Sequence, residues 1–168
     1  MSTIRNICVY CGSGPGTDPA FAVTARDFGK ILAENKVRLI YGGGSVGLMG
    51  EIAASVLDHG GQVTGVIPEF LKGRERPFAH VQELIEQLTW AQLGRHKKPI
   101  LVANIQRFWD PLCALLDHMK RLAFIREDLD VRLLVAERVV DILPNLQAAV
   151  RAIPEAEKLM KAGAAERL

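Results

Sequence analysis

Tyr41 to Gly50, YGGGSVGLMG, is the stretch on which the fold turns. Gly42, Gly44 and Gly47 satisfy G-x-G-x-x-G, and the motif lies where an apolar run, Val37 to Tyr41 (VRLIY), gives way to helical periodicity from Val46 to His59. A glycine-rich turn between strand and helix lets backbone approach a phosphate and aims helix N–H groups at it. The same glycines also suit a βα turn that merely packs tightly.

Working outward, Ile4 to Tyr10 (IRNICVY) reads as a strand, stopped by the small polar turn CGSGPGTDP. Pro19 to Asn35 follows as an amphipathic helix, with Phe21, Ala25, Phe28, Ile31 and Leu32 at steps of three and four and Asp18 as N-cap. On the far side, Gln62 to Ile67 is a third strand, Val81 to Leu93 a helix, Pro99 to Asn104 a strand and Asp110 to Leu122 a helix with Pro111 in its first turn. Val131 to Ala136 is a further strand before the helical C-terminal stretch. Apolar strands alternating with helices imply a doubly wound parallel α/β sheet covered on both faces, in a single domain over 1–150 with a helical tail over 151–168. The turn Gly12-Ser13-Gly14 then shares one crevice with the YGGG turn, because carboxyl ends of neighbouring strands line the same edge.

One place breaks the rhythm. Between the strand ending at Ile67 and the strand beginning at Pro99 there is room for only one helix, preceded by a loop that fits neither a tight turn nor a full βαβ unit.

Composition narrows the function classes. The chain has 168 residues, 49% hydrophobic, with 21 Lys plus Arg against 19 Asp plus Glu. That length buries a core without disulfides or metals, and the near-neutral balance argues against nucleic acid as a partner. No window approaches the length of a membrane span and no targeting segment is legible, so a cytoplasmic location is expected. Cys8 and Cys11 form a CxxC, but no second ligand pair accompanies it and Cys8 lies inside a strand, so neither a zinc site nor a redox pair is expected.

Other polar residues are less specific. Lys72, Arg74, Arg76 and His80 form a basic loop that suits either a phosphate or solvent, whereas Arg95, His96, Lys97 and Lys98 precede a strand and read as a solvated turn. His59 and His118 sit in helices among apolar neighbours, and Trp90 and Trp109 suit a core or an oligomer interface. A nicotinamide dinucleotide would want the glycine fingerprint after the first strand; here it follows the second, and Glu69, the candidate ribose ligand, stands behind Pro68.

The segments CVYCGSGPGTDPAF, VRLIYGGGSVGLMGEIA, QVTGVIPEFL, EQLTWAQLGRHKKPILVAN and FWDPLCALLDHM, in that order, resemble the LOG ("lonely guy") family of cytokinin riboside 5′-monophosphate phosphoribohydrolases. The resemblance runs to about Pro144. It implies a Rossmann-like fold, a homodimer with active sites near the subunit interface, no cofactor, and hydrolysis of a nucleoside 5′-monophosphate to free base and ribose 5-phosphate. The implied substrates are N6-modified adenine nucleotides or AMP. It also implies nucleotide contacts from Gly12, Ser13, Gly43, Gly44 and Gly47.

The family's PGGxGTxxE motif and the Met-His-x-Arg-Lys run before it are both missing. The strand-like FAHVQELI, which in the family leads into the Met-His-x-Arg-Lys helix, runs directly into EQLTWAQLG, so about thirty residues, one helix and one strand, are absent near 81–87. N-glycosidic cleavage passes through an oxocarbenium-like sugar and calls for a carboxylate beside it. Glu83 is the candidate for that role, since ELIEQLTW continues the family pattern from there; the same residues also fit the end of the upstream segment. In the order 3-2-1-4-5-6 the absent strand is the fourth, beside the first. Either Pro99 to Asn104 moves next to Ile4 to Tyr10, or the sheet keeps unpaired edges. Two functions are therefore expected from these residues: an impaired nucleotide N-glycosidase, or a non-catalytic nucleotide-binding or dimerising domain.

Overall fold

Asp18 sets the first helix. In the computed structural model, which describes residues 4–66, 80–125 and 133–165, its Oδ1 accepts a hydrogen bond from the Ala20 N–H at 2.8 Å, and Pro19 occupies the first turn. Side chains are described for 4–66, 84–125 and 133–152. Strand β1 is Asn6–Val9, helix α1 Pro19–Glu34, strand β2 Arg38–Tyr41, helix α2 Gly47–Asp58 and strand β3 Val63–Gly65. Then come helix α3, His80–Gln92, strand β4, Ile100–Ala103, helix α4, Asp110–Arg121, strand β5, Leu133–Ala136, and helix α5, Val139–Ala165. Each strand and helix read from the sequence is present among the described residues; β1, β2 and β4 are shorter than read by one or more residues at their ends, and Ile67, Val131 and Arg132 lie outside the described residues. The FAHVQELI reading is corrected in part: its described residues belong to α3, which crosses 81–87 without a break. Helix α5 likewise continues through residue 150.

The strands do not form one sheet. β1, β2 and β3 pair in parallel, with Ile7 opposite Leu39 and Leu39 opposite Val63, and β4 pairs in parallel with β5, Leu101 opposite Leu134. Among the described residues β1 and β4 share no ladder. Of the two outcomes the missing strand allows, the described residues show the one with unpaired edges.

One core nevertheless spans both sheets. Phe28 and Leu32 of α1, Leu39 of β2 and Ile52 and Val56 of α2 cluster with Ala136 of β5 and Ile142, Leu143 and Leu146 of α5. Helices α1 and α2 pack closely because Gly29 has no side chain. A Cβ there would stand 2.7 Å from the Ile52 carbonyl oxygen and 2.8 Å from Ser55 Cβ. The Ser55 hydroxyl donates to the Arg26 carbonyl at 2.6 Å, and Arg26 pairs with Glu51 across the helix contact. Helix α5 covers β4 and β5 and also meets α1.

Helical cover among the described residues is uneven. Neither α3 nor α4 packs closely on another described element, α4 has no buried side chain, and Trp90 (53% exposed) and Leu93 (67%) of the α3 end face outward with Ile85 and Leu115. Without the absent strand and helix there is less sheet for this layer to sit on.

Candidate functional site

Two loops meet at the carboxyl ends of β1 and β2. Gly47 adopts φ +59°, and a Cβ there would lie 2.1 Å from the Ser13 carbonyl oxygen and 2.7 Å from the Gly14 nitrogen. Only glycine permits that approach. The Leu48 and Met49 N–H groups donate to the Gly14 and Gly12 carbonyls at 3.4 and 3.3 Å. Gly43, at φ +78°, passes close to Gly65, and Gly44 is buried against Met49. The structure thus brings Gly12, Ser13, Gly43, Gly44 and Gly47 into one loop cluster. It differs from the expected arrangement in one respect: the Leu48 and Met49 donors of α2 hold the neighbouring loop and are not directed at a ligand.

A third loop, after β4, sits at the start of α1 and was not singled out in the sequence. Asn104 is buried; its N–H donates to the Ala136 carbonyl at 2.7 Å, its Nδ2 donates to Asp110 Oδ1 at 2.8 Å, and its Oδ1 accepts from the Trp109 N–H at 2.8 Å. Arg107 Nε donates to the other Asp110 oxygen at 2.6 Å. The Asn104 and Arg107 hydrogen bonds hold the Asp110 carboxyl below its ordinary pKa. Gln106 and Arg107 both take positive φ, 53° and 59°, a left-handed pair without glycine. Phe108, exposed, stacks edge-on against Phe21 of α1 and against Trp109, with ring centroids 5.9 and 5.1 Å apart. The legible signal was the Asn104 stop to an apolar run six residues before Asp110-Pro111, but left-handed backbone at Gln106 and Arg107 has no sequence signature.

Glu83 lies in the first turn of α3, with its side chain outside the described residues, as is that of His80; Glu69, Lys72, Arg74 and Arg76 lie outside them altogether. His59 Nδ1 contacts the Ser55 carbonyl at the end of α2, and His118 stands beside Arg121. Arg95, Lys97 and Lys98 are exposed, as a solvated turn requires, while His96 Nε2 is buried without a hydrogen-bond partner. Trp109 is half-buried and Trp90 is not a core residue. Cys8, Cys11 and Cys113 are in no disulfide among the described residues, and burial, with Asp110 and Asp117 nearby, pushes the Cys113 thiol up. Among the described residues no group of three or more His, Cys, Asp or Glu could hold a metal ion, and no helix is long and apolar enough to cross a membrane.

Comparison with known proteins agrees with this layout. The SLOG cluster4 family model matches residues 5–95, and a family described as possible lysine decarboxylase matches 80–146. The cytokinin riboside 5′-monophosphate phosphoribohydrolase LOG of Oryza sativa subsp. japonica is 35% identical over 187 residues, 92% of this chain and 74% of that protein. LOG7 of Arabidopsis thaliana, which carries the same description, is 31% identical over 189 residues, 93% of this chain and 84% of that protein. Since 92% of 168 residues is about 155, about 32 of the 187 positions matched to the rice protein have no residue in this chain. Two structures of the molybdenum cofactor carrier protein of Chlamydomonas reinhardtii share the Rossmann-like fold, with TM-scores of 0.56 and 0.58 at 17% and 19% identity, over 89% of this chain and 99% of theirs.

Proposed function

This chain belongs to the LOG family of phosphoribohydrolases, and we propose that it keeps the family's nucleotide-facing loops while its hydrolysis of nucleoside 5′-monophosphates is impaired. The observation that carries this reading is the break in the sheet between β1 and β4. The loops after β1 and β2 are held together by Gly47 against Ser13, independently of the break. A nucleoside 5′-monophosphate, AMP or an N6-modified analogue, is the ligand that suits them, with backbone from Gly12, Ser13, Gly43 and Gly44 at the phosphate or ribose and Gly47 holding the loops in place.

Hydrolysis demands more. The departing base leaves an electron-poor sugar that a carboxylate must stabilise while water attacks its anomeric carbon. Glu83, in the first turn of α3, is the residue we assign to that carboxylate. The strand that would carry its neighbours into the crevice beside β1 is the one the ladder lacks, so α3 is poorly fixed over the site. A homodimer in the cytoplasm completes the proposal: the outward apolar side chains Ile85, Trp90, Leu93 and Leu115 on and beside α3 and α4 give a second copy a surface to cover.

A thermal-shift titration checks binding and chemistry separately. AMP raises Tm and NAD does not. Any residual release of free base, followed by chromatography, disappears in Glu83→Gln while the AMP shift remains. Base release from Glu83→Gln at the parent rate removes Glu83 from the reaction, and the absence of any AMP shift removes the nucleotide reading itself. Sedimentation that finds a monomer at tens of micromolar removes the dimer.

A further inference from the structure

The loop after β4 touches the loop after β1 through aromatic side chains. Gly16, near the end of the loop after β1, takes φ +78°, and a Cβ there would stand 2.9 Å from Cδ2 of Phe21, in the first turn of α1. The Phe21 ring in turn meets the Phe108 ring edge-on, with centroids 5.9 Å apart, and Phe108 directly follows Arg107. The loop after β1 is thus held from two sides: Gly47 packs on Ser13, and Phe108 backs the Phe21 ring that covers Gly16. An edge-to-face aromatic pair is directional, so it fixes how the β4 loop is turned as well as where it lies.

That contact brings a cation with it. Arg107 Nε donates to Asp110 Oδ2 at 2.6 Å, and Asp110 Oδ1 is held by Asn104 Nδ2. The Arg107 side chain is otherwise 84% exposed, and among the described residues its Nη1 and Nη2 have no bonded partner. A guanidinium anchored through Nε keeps a fixed plane and offers both Nη groups as a fork, which matches the oxygens of a phosphate. The backbone adds a second point: φ +59° at Arg107 suits glycine or asparagine, and arginine holds it at a cost, as residues at ligand sites do. A phosphate also needs such a group here, because the Leu48 and Met49 N–H donors at the start of α2 are engaged by the Gly14 and Gly12 carbonyls. We propose that Arg107 binds the phosphate of the nucleoside 5′-monophosphate and is the second half's contribution to a site otherwise built from backbone of the loops after β1 and β2. The inference rests on the nucleotide reading above and adds to it a residue that selects for the phosphate: a nucleoside without one gains nothing from Arg107.

The test titrates the full chain with AMP and with adenosine by isothermal calorimetry. The parent binds AMP at least about tenfold more tightly than adenosine, as one charge-assisted pair to a phosphate provides. Arg107→Gly deletes the guanidinium while relaxing the left-handed backbone, so the variant folds; it loses the preference for AMP and keeps the parent's affinity for adenosine. Arg107→Gln, which keeps most of the side-chain length without the charge, does the same, and Arg107→Lys retains part of the preference because a point charge replaces the fork. A preference for AMP in Arg107→Gly and Arg107→Gln equal to the parent's overturns the proposal and leaves the nucleotide reading standing. Equal weakening of both ligands also overturns it, since Arg107 then serves only the shape of the loop. A parent that binds neither AMP nor adenosine overturns the proposal together with the nucleotide reading.

Discussion

The two halves of this molecule are built from the same βα alternation and end up in different conditions. In the first, β1 to β3 form a continuous ladder, α1 and α2 close over it through Gly29, and the loops at its carboxyl edge lock together through Gly47. In the second, β4 and β5 make a two-stranded ribbon held to the rest through α5 and the shared core, with α4 largely uncovered. A two-stranded ribbon is marginal by itself in water. The contrast teaches that one central strand does more than fill space: it lets the second half share hydrogen bonds with the first.

The largest effect is expected where the first half closes. Gly47→Val puts a side chain into the Ser13 carbonyl and demands a left-handed backbone from a β-branched residue, at a cost of about 4 kcal/mol in urea unfolding. A loss below about 1 kcal/mol would show that the loops are not docked in solution.

Next come matched core truncations. Leu32→Ala, at a fully buried position of α1, costs about 3 kcal/mol and speeds amide exchange in both sheets, while Leu143→Ala, in α5, costs about 2 kcal/mol and speeds exchange in β4 and β5 well before β2. Equal acceleration in β2 and β4 by Leu143→Ala would abolish the distinction between the halves.

A smaller effect concerns the β4 loop. Asn104→Ala removes the acceptor of the Trp109 N–H and the donor to Asp110 Oδ1, with Arg107 still holding Asp110 Oδ2, and costs about 2 kcal/mol.

The smallest is a pH effect at Asp110. Its folded pKa is depressed by Asn104 and then by Arg107, so its contribution is fully present above the unfolded value and is lost as pH falls through the folded one. Acid unfolding monitored below about pH 4 shows that loss, and it is attenuated in Asp110→Asn; an unchanged acid profile in that variant would exclude Asp110 as a contributor.

Much of this was legible in the residues. Asp18 and Pro19 announce the start of α1, the apolar runs place the five described strands, and the interruption between Ile67 and Pro99 falls between the two halves whose strands share no ladder among the described residues. Periodicity reports which residues are covered, and those are local patterns. What stayed hidden depends on contacts between distant segments. Gly47 looks like a phosphate-binding glycine, and its demonstrated contact is the Ser13 peptide 34 positions earlier. Asn104 looks like the end of a strand, and its amide, bonded through both Oδ1 and Nδ2, organises the start of α4. The apolar residues of α3 and α4 recur at helical spacing, and spacing does not say whether a partner element is present to receive them.

The central claim is that losing the strand between β1 and β4 disables hydrolysis while sparing the nucleotide-facing loops. It is tested most directly by measuring free base released from AMP and from an N6-modified analogue by this chain and by the rice relative side by side. Release at least about a hundredfold slower by this chain, at nucleotide concentrations that raise its Tm, is the predicted result. Equal rates would contradict it.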